Sequence, residues 1–316
     1  MDFWLSDDER DLQDGIRSFL RGRFPIDVVR ALEEQPSGVI DRQRWRELAD
    51  TGVFTIVNDM GMRAATLVFE ELGRSLVAGP LVATTLATPW VPGAATGDTI
   101  VASLETDEHP VLVDHPEQAD QFMSLTADGV VLVPAADVRR RTVPMPLDTL
   151  TPVAIVDLPL PGGTTVADAA EAARVRRDAV LLTSALQLGV ALGATELSQQ
   201  YAIEREQFGR PIGSFQAVKH LLADMLTKAE VARSAVYAAA CAVDGASDDD
   251  ATRAASVAKV MAGEAALFCG KSGIQVHGGM GFTWEVHAQR YWKRAVALDN
   301  SYGIIDHHAA ALAATL

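Results

Sequence analysis

Apolar and polar positions alternate with two different periods along this chain, and the period changes twice. Ser6 and Glu9 form an S-x-x-E capping box ahead of Leu12, Ile16 and Phe19, which recur at helical spacing until Pro25 breaks the pattern. A second helix is predicted over 41–51, with Trp45, Leu48 and Ala49 apolar and Gly52 as its stop. A third is predicted over 62–76, and a fourth apolar stretch over 80–91 is closed by Pro89 and Pro92. Residues 1–96 therefore read as an N-terminal helical domain.

From Asp98 the apolar runs shorten and fill with Val and Ile: Thr99–Leu104, Val111–Val113, Gln121–Leu125, Gly129–Val133 and Pro152–Leu158. Pro, Gly and Asp separate them at hairpin spacing, which predicts a small antiparallel β segment ended by Pro161-Gly162-Gly163. This middle β domain is assigned to 97–163. Helices return from Thr165, and they are long. Ala167 to Glu204 has few breakers, and Phe215, Val218, Leu222, Met225, Ala229, Ala232 and Val236 form one stripe at period 3.6. A helix with an acidic start at Asp248–Asp250 runs to about Val276, and a shorter one covers 284–298. The third part, 164–316, reads as a C-terminal four-helix bundle. The expected class is mostly α with a small middle β segment.

Composition adds exclusions. A net charge of −15 argues against a general nucleic-acid or anionic-membrane surface. No apolar run is expected to span a membrane, and MDFWLSDDER lacks the basic and apolar regions of a leader, so a cytoplasmic protein is expected. Cys241 and Cys269 sit in apolar helical patterns with no Cys/His ligand spacing, which predicts buried thiols and no metal site. His307-His308 are adjacent, not four apart, and read as a solvated helix end.

Two segments carry candidate chemistry. The first is Arg205-x-Gln207-Phe208-Gly209-x-Pro211-Ile212-x-x-Phe215-Gln216; the second is Gln275-x-His277-Gly278-Gly279-x-Gly281-Phe282-Thr283-x-Glu285, followed by Arg290-Tyr291. Arg205 can offer a bidentate fork to a pyrophosphate, and Phe208 a flat apolar face to a ring. Gln275 has donor and acceptor, and Gly278-Gly279 lets backbone N–H groups approach phosphate oxygens.

These segments, with Leu5-Ser6-Asp7-Asp8, Trp45-Arg46-Glu47-Leu48-Ala49 and Glu70-Glu71-Leu72-Gly73-Arg74, resemble the acyl-CoA dehydrogenase family. The resemblance covers most of the C-terminal half and, thinly, the N-terminal part. It implies that Arg205, Gln207, Phe208, Ile212 and Phe215, with Gln275, Gly278 and Gly279, contact FAD held mainly by a neighbouring subunit. It also implies an oligomer, an acyl-CoA substrate and an electron-transfer flavoprotein as acceptor. The family reaction needs a carboxylate near the substrate α-carbon. Lys293-Arg294-Ala295 matches the family's R-D-A, and counting forward puts Tyr302-Gly303-Ile304 where E-G-T is expected. A tyrosine stays protonated at neutral pH and is a poor base. In some members the base lies on the first bundle helix; that position falls near Ala179, with Asp178, expected to be a surface residue, as the one plausible relocated acid. The middle segment is short and lacks the family's flavin motifs.

This combination resembles the short, base-lacking subunit of heterotetrameric (α2β2) bacterial sterol side-chain dehydrogenases, with no catalytic residue of its own. A self-sufficient homo-oligomeric enzyme using Asp178, a hydroxylating flavoprotein of the same fold, and a non-enzymatic scaffold are the alternatives.

Overall fold

A computed structural model describes residues 5–33, 38–106 and 110–315. Met1–Trp4, part of the segment on which the leader argument rests, lie outside the described residues. The chain is mostly helical with a small β region, and it packs as two compact units. One comprises Met1–Ile26, Thr66–Val77 and Val180–Leu316; the other comprises Asp27–Ala65 and Ala78–Ala179.

In the second unit, helices α2 (Ile26–Glu33), α3 (Arg42–Asp50), α5 (Leu81–Ala87) and α6 (Pro92–Ala95) accompany the strands. Asp41 caps α3 through the N–H groups of Gln43 and Arg44. The strands form two sheets where one antiparallel segment is expected. β1 (Val101–Ser103), β3 (Gln121–Thr126), β4 (Gly129–Pro134) and β7 (Thr164–Ala167) make one; β2 (Leu112–Asp114), β6 (Val153–Val156) and β5 (Arg140–Thr142) make the other. β1 pairs with β3 in parallel, a relation that side-chain alternation does not encode. β5 is polar and pairs only with β6, so it carries no apolar signal. β7 follows the Pro-Gly-Gly that was expected to end the sheet. Gly163 permits this return to β4, because a Cβ there would sit 2.5 Å from Val131 and 2.7 Å from the Leu132 carbonyl.

In the first unit, α1 (Asp7–Arg23) begins with the full Ser6–Glu9 capping box. The same unit holds the last turns of α4 (Ile56–Arg74, bent at Gly61, φ 83°), α7 (Ala169–Glu204) from Val180 onward, α8 (Gln216–Gly245), α9 (Asp248–His277), α10 (Ala288–Asp299) and α11 (Ile305–Ala313), with α9 packed against α8, α10 and α11. α7 is, against expectation, long and apolar enough to cross a membrane; most of its apolar window is instead packed inside the protein, as a core helix requires. The predicted stripe on α8 is buried at Met225, Ala229, Ala232 and Val236 and half-buried at its N-terminal end. Cys269 is buried, which raises its thiol pKa to about 11, and Cys241 is only half-buried.

Glu70 and Glu71 are fully buried in this unit. Arg17 grips Glu71 in a bidentate pair at 2.8 and 2.9 Å, and Arg74 contacts both carboxylates at 3.1 and 3.3 Å. Tyr237 donates to Glu70 at 2.8 Å, and Arg233 lies 3.5 Å away. Burial, together with Glu70, pushes the Tyr237 hydroxyl pKa up, so it stays a donor. Beside these groups, α4 and α7 approach closely at glycines. A Cβ on Gly73 would sit 2.1 Å from the Leu186 carbonyl, and one on Gly189 only 1.9 Å from the Glu70 carbonyl. Both neighbours are backbone and cannot turn aside. Gly189→Ala is therefore expected to destabilise the protein by about 2–3 kcal/mol, measured as urea unfolding. A change below about 0.5 kcal/mol would mean that the close approach is unimportant.

Candidate functional site

The first motif segment is built where α7 ends. The Arg205 N–H still donates to the Tyr201 carbonyl at 2.8 Å. The chain then makes a hairpin of two-residue strands, β8 (Glu206–Gln207) and β9 (Arg210–Pro211), with Gln207 opposite Arg210. Phe208 and Gly209 form its turn with φ of 53° and 76°. Two successive positive φ values are the type I′ pattern, which matches the strand twist and favours Asn-Gly. Glycine suits the second position; phenylalanine is strained in the first. The Ile212 N–H returns to the Arg205 carbonyl at 2.8 Å, and Phe215 leads into α8. Phe208 is 92% exposed, and its ring meets that of Phe215 edge-on at 6.1 Å. Arg205 and Gln207 are exposed, while Ile212 and Phe215 are half-buried.

The second segment is built where α9 ends. Gly278 turns the chain with φ 61°, and a 3-10 turn covers Gly278–Phe282. A Cβ on Gly278 or Gly279 would meet nothing within 4 Å, so their backbone faces open space. Gln275, one turn earlier, is exposed. His277 is buried, its Nδ1 is 2.7 Å from the Gly273 carbonyl, and its ring stacks on Tyr201 at 4.2 Å. Burial lowers its pKa, which keeps the ring neutral. This Tyr201–His277 stack joins the ends of α7 and α9, and so brings both motif segments to one end of the bundle. Trp284 lies half-exposed beyond, with Lys293 Nζ 4.3 Å and the Arg290 guanidinium 5.5 Å from its ring centroid.

Arg205, Gln207, Phe208, Gln275, Gly278 and Gly279 are all exposed. A guanidinium, two amides, open glycine backbone and a free ring fit the phosphate and ring chemistry of FAD.

Tyr302 stands in a tight, occupied turn with φ 56°, followed by Gly303 at φ 94°. The residue is buried. The fully buried Lys259 reaches into the turn and donates to the carbonyls of Leu298 and Ser301 at 2.7 and 2.9 Å. His308 is not the solvated helix end expected. Its Nε2 lies 3.0 Å from the Tyr302 carbonyl and its Nδ1 3.1 Å from Ser256 Oγ. The carbonyl can only accept, so Nε2 carries the proton and Nδ1 accepts from the serine. Burial lowers the His308 pKa, the hydrogen bond to Tyr302 opposes this, and nearby Lys259 adds to the lowering. In the preceding helix, Arg294 of the R-D-A-like triplet donates to the Val77 carbonyl at 3.0 Å. No adjacency in the sequence announces Lys259 or His308, which converge on the turn from separate helices.

Asp178 is not a surface residue either. It is half-buried and held by Arg177 at 2.9 Å through two guanidinium nitrogens. Burial raises its pKa, against the pull of Arg177. The neighbouring Ala179 is fully buried and carries no acid.

Residues 178–315 match the family model described as acyl-CoA dehydrogenase, C-terminal domain. The chain is 31% identical over 307 residues to acyl-CoA dehydrogenase IpdE2 of Mycolicibacterium smegmatis, covering 92% of this chain and 93% of that one. Its fold matches a chain of the ChsE4-ChsE5 complex from Mycobacterium tuberculosis with a TM-score of 0.82, at 23% identity, over 99% of this chain and 98% of that one. It also matches a variant of the Tcur3481-Tcur3483 steroid ACAD with a TM-score of 0.80, at 24% identity, over 97% of each chain.

Two outcomes check this geometry. Phe208→Asn relieves the strained turn position at little loss of burial. It should raise unfolding stability by about 0.5–1 kcal/mol, and a loss would mean that the ring is a structural contact. The lowered pKa of His308 means that the folded state takes up its proton later than the unfolded chain as pH falls. Its contribution is complete above about pH 6.5 and declines as pH drops through the folded pKa. His308→Gln should make the fall in unfolding midpoint between pH 7.5 and 5.5 shallower; an unchanged slope would exclude His308 as a source of it.

Proposed function

The chain belongs to the acyl-CoA dehydrogenase family, oxidoreductases that act on acyl-CoA, and we propose that it is the base-lacking subunit of a heteromeric, FAD-dependent member. In this reading it completes the FAD site of a catalytic partner and has little activity alone. The observation that carries it is the pairing of two features in one unit. An exposed guanidinium, amides, aromatic ring and glycine backbone stand at the bundle end, while a buried tyrosine stands where the family resemblance expects the base.

Bound FAD would accept the hydride from the β-carbon of the acyl thioester. This chain's own groups would hold the cofactor edge. Arg205 offers two parallel N–H donors to a pyrophosphate, Gln275 an amide, and Gly278-Gly279 their N–H groups without side-chain obstruction. Phe208 presents an apolar face. Tyr302 brings a phenol and not a carboxylate to this position, and a phenol is a poor base for the α-proton. The carboxylate must then come from the partner. Asp178 is a poor substitute while Arg177 grips its Oδ1 through two guanidinium nitrogens. A bulky acyl group of sterol side-chain type is favoured by the likeness to the steroid ACAD, and a second subunit by the likeness to the ChsE4-ChsE5 complex. An electron-transfer flavoprotein is proposed as acceptor on the family resemblance, and a cytoplasmic location on the composition.

Arg205→Ala tests the reading in the co-purified complex. Loss of one charge-assisted contact should weaken FAD binding by about 10- to 100-fold, read as flavin released on dilution, with the subunits still assembled. Unchanged FAD content and unchanged partner activity would contradict the donated-edge reading.

A further inference from the structure

We propose that Arg210 is a positioning residue that fixes Phe208 for its contact with the cofactor edge, with Phe215 acting as the pedestal and not as a second contact. The inference rests on the reading that this end of the bundle meets FAD, and it divides roles between two rings that the family resemblance treats alike.

The β8–β9 hairpin has little to hold it. Each strand is two residues long, and the partner of Glu206 is Pro211, which has no N–H to donate. Isolated hairpins of this size are marginal in water. The turn adds cost, because Phe208 occupies a left-handed conformation with φ 53°. Yet its ring projects 92% exposed, so burial of Phe208 does not repay that cost. The stabilising contacts come from the second strand. The Arg210 guanidinium lies over the Phe215 ring, 4.2 Å from its centroid. The Phe208 and Phe215 rings stand nearly perpendicular, 6.1 Å apart between centroids at an interplanar angle of 84°. Phe215 is itself fixed, half-buried at the start of α8, where its N–H donates to the Ile212 carbonyl at 3.1 Å. Arg210, directly after the turn and opposite Gln207, therefore ties the hairpin to the helix through one aromatic ring. A ring with a guanidinium on its face is closed to a ligand on that face. Phe208 is the ring left free.

Three variants of the full chain, co-purified with the flavin-bearing partner, test this. Arg210→Gln removes the cation but keeps a polar side chain, Arg210→Lys keeps a cation, and Arg205→Ala serves as the control for the cofactor reading. Hydrogen–deuterium exchange of 205–215 is read beside the rate of FAD release. Arg210→Gln should speed exchange of the hairpin about two- to five-fold, the factor set by an exposed cation–π contact, and speed FAD release by a similar factor with assembly intact. Arg210→Lys should restore at least half of both effects. Unchanged exchange in Arg210→Gln would overturn the positioning role. Faster exchange with unchanged FAD release would overturn the link to the cofactor. If Arg205→Ala also leaves FAD release unchanged, the cofactor reading itself falls, and the exchange data alone still decide whether Arg210 holds the hairpin.

Discussion

Two buried carboxylates set the terms for the helical unit. Glu70 and Glu71 cannot be left charged in an apolar interior without partners. Arg17 on α1 and Arg233 and Tyr237 on α8 supply them from two other helices, and Arg74 from one turn away. Beside the pair, α4 and α7 touch backbone to backbone at Gly73 and Gly189. Close packing and charge pairing thus meet at the same turns of α4: the glycines let the helices approach, and the arginines make the burial of the carboxylates tolerable. α7 is fixed against α4 at these glycines, and its last turn, at Tyr201, is where the exposed motif begins.

A rigid α7 matters because the exposed groups have little support of their own. The Tyr201–His277 stack couples the end of α7 to the end of α9, so the hairpin and the glycine turn are set on the same base. At the Tyr302 turn the logic is reversed. Lys259 and His308 saturate its carbonyls from inside, and the residue is buried. One region is exposed and the other is closed. In the proposed function this is a division of labour between subunits, with cofactor contacts kept and proton transfer given up.

Much of this was legible before the fold. The capping box at Ser6, the acidic start of α9 at Asp248 and its end at Gly278 are local signals, and the structure has them at those places. The two motif segments could be located because their residue types recur in order. Other features depend on relations that a linear pattern does not contain. β5 and β7 are polar or exposed and pair through backbone alone, and the parallel β1–β3 register has no side-chain signature. His308 looks solvated because its partners, Ser256 and the Tyr302 carbonyl, come from outside its own helix. Asp178 looks exposed because helical periodicity does not show how deeply the start of α7 sinks into its unit. Arg210 reads as an ordinary surface charge until Phe215 is seen beneath it.

The central claim is that this chain carries an edge of a flavin site and not a whole one. The most direct measurement is the visible absorbance of the purified chain, alone and after co-expression with the gene product encoded next to it. The account predicts no flavin on the lone chain and a yellow complex holding about one FAD per heterodimer. A full complement of FAD on the lone chain would contradict it.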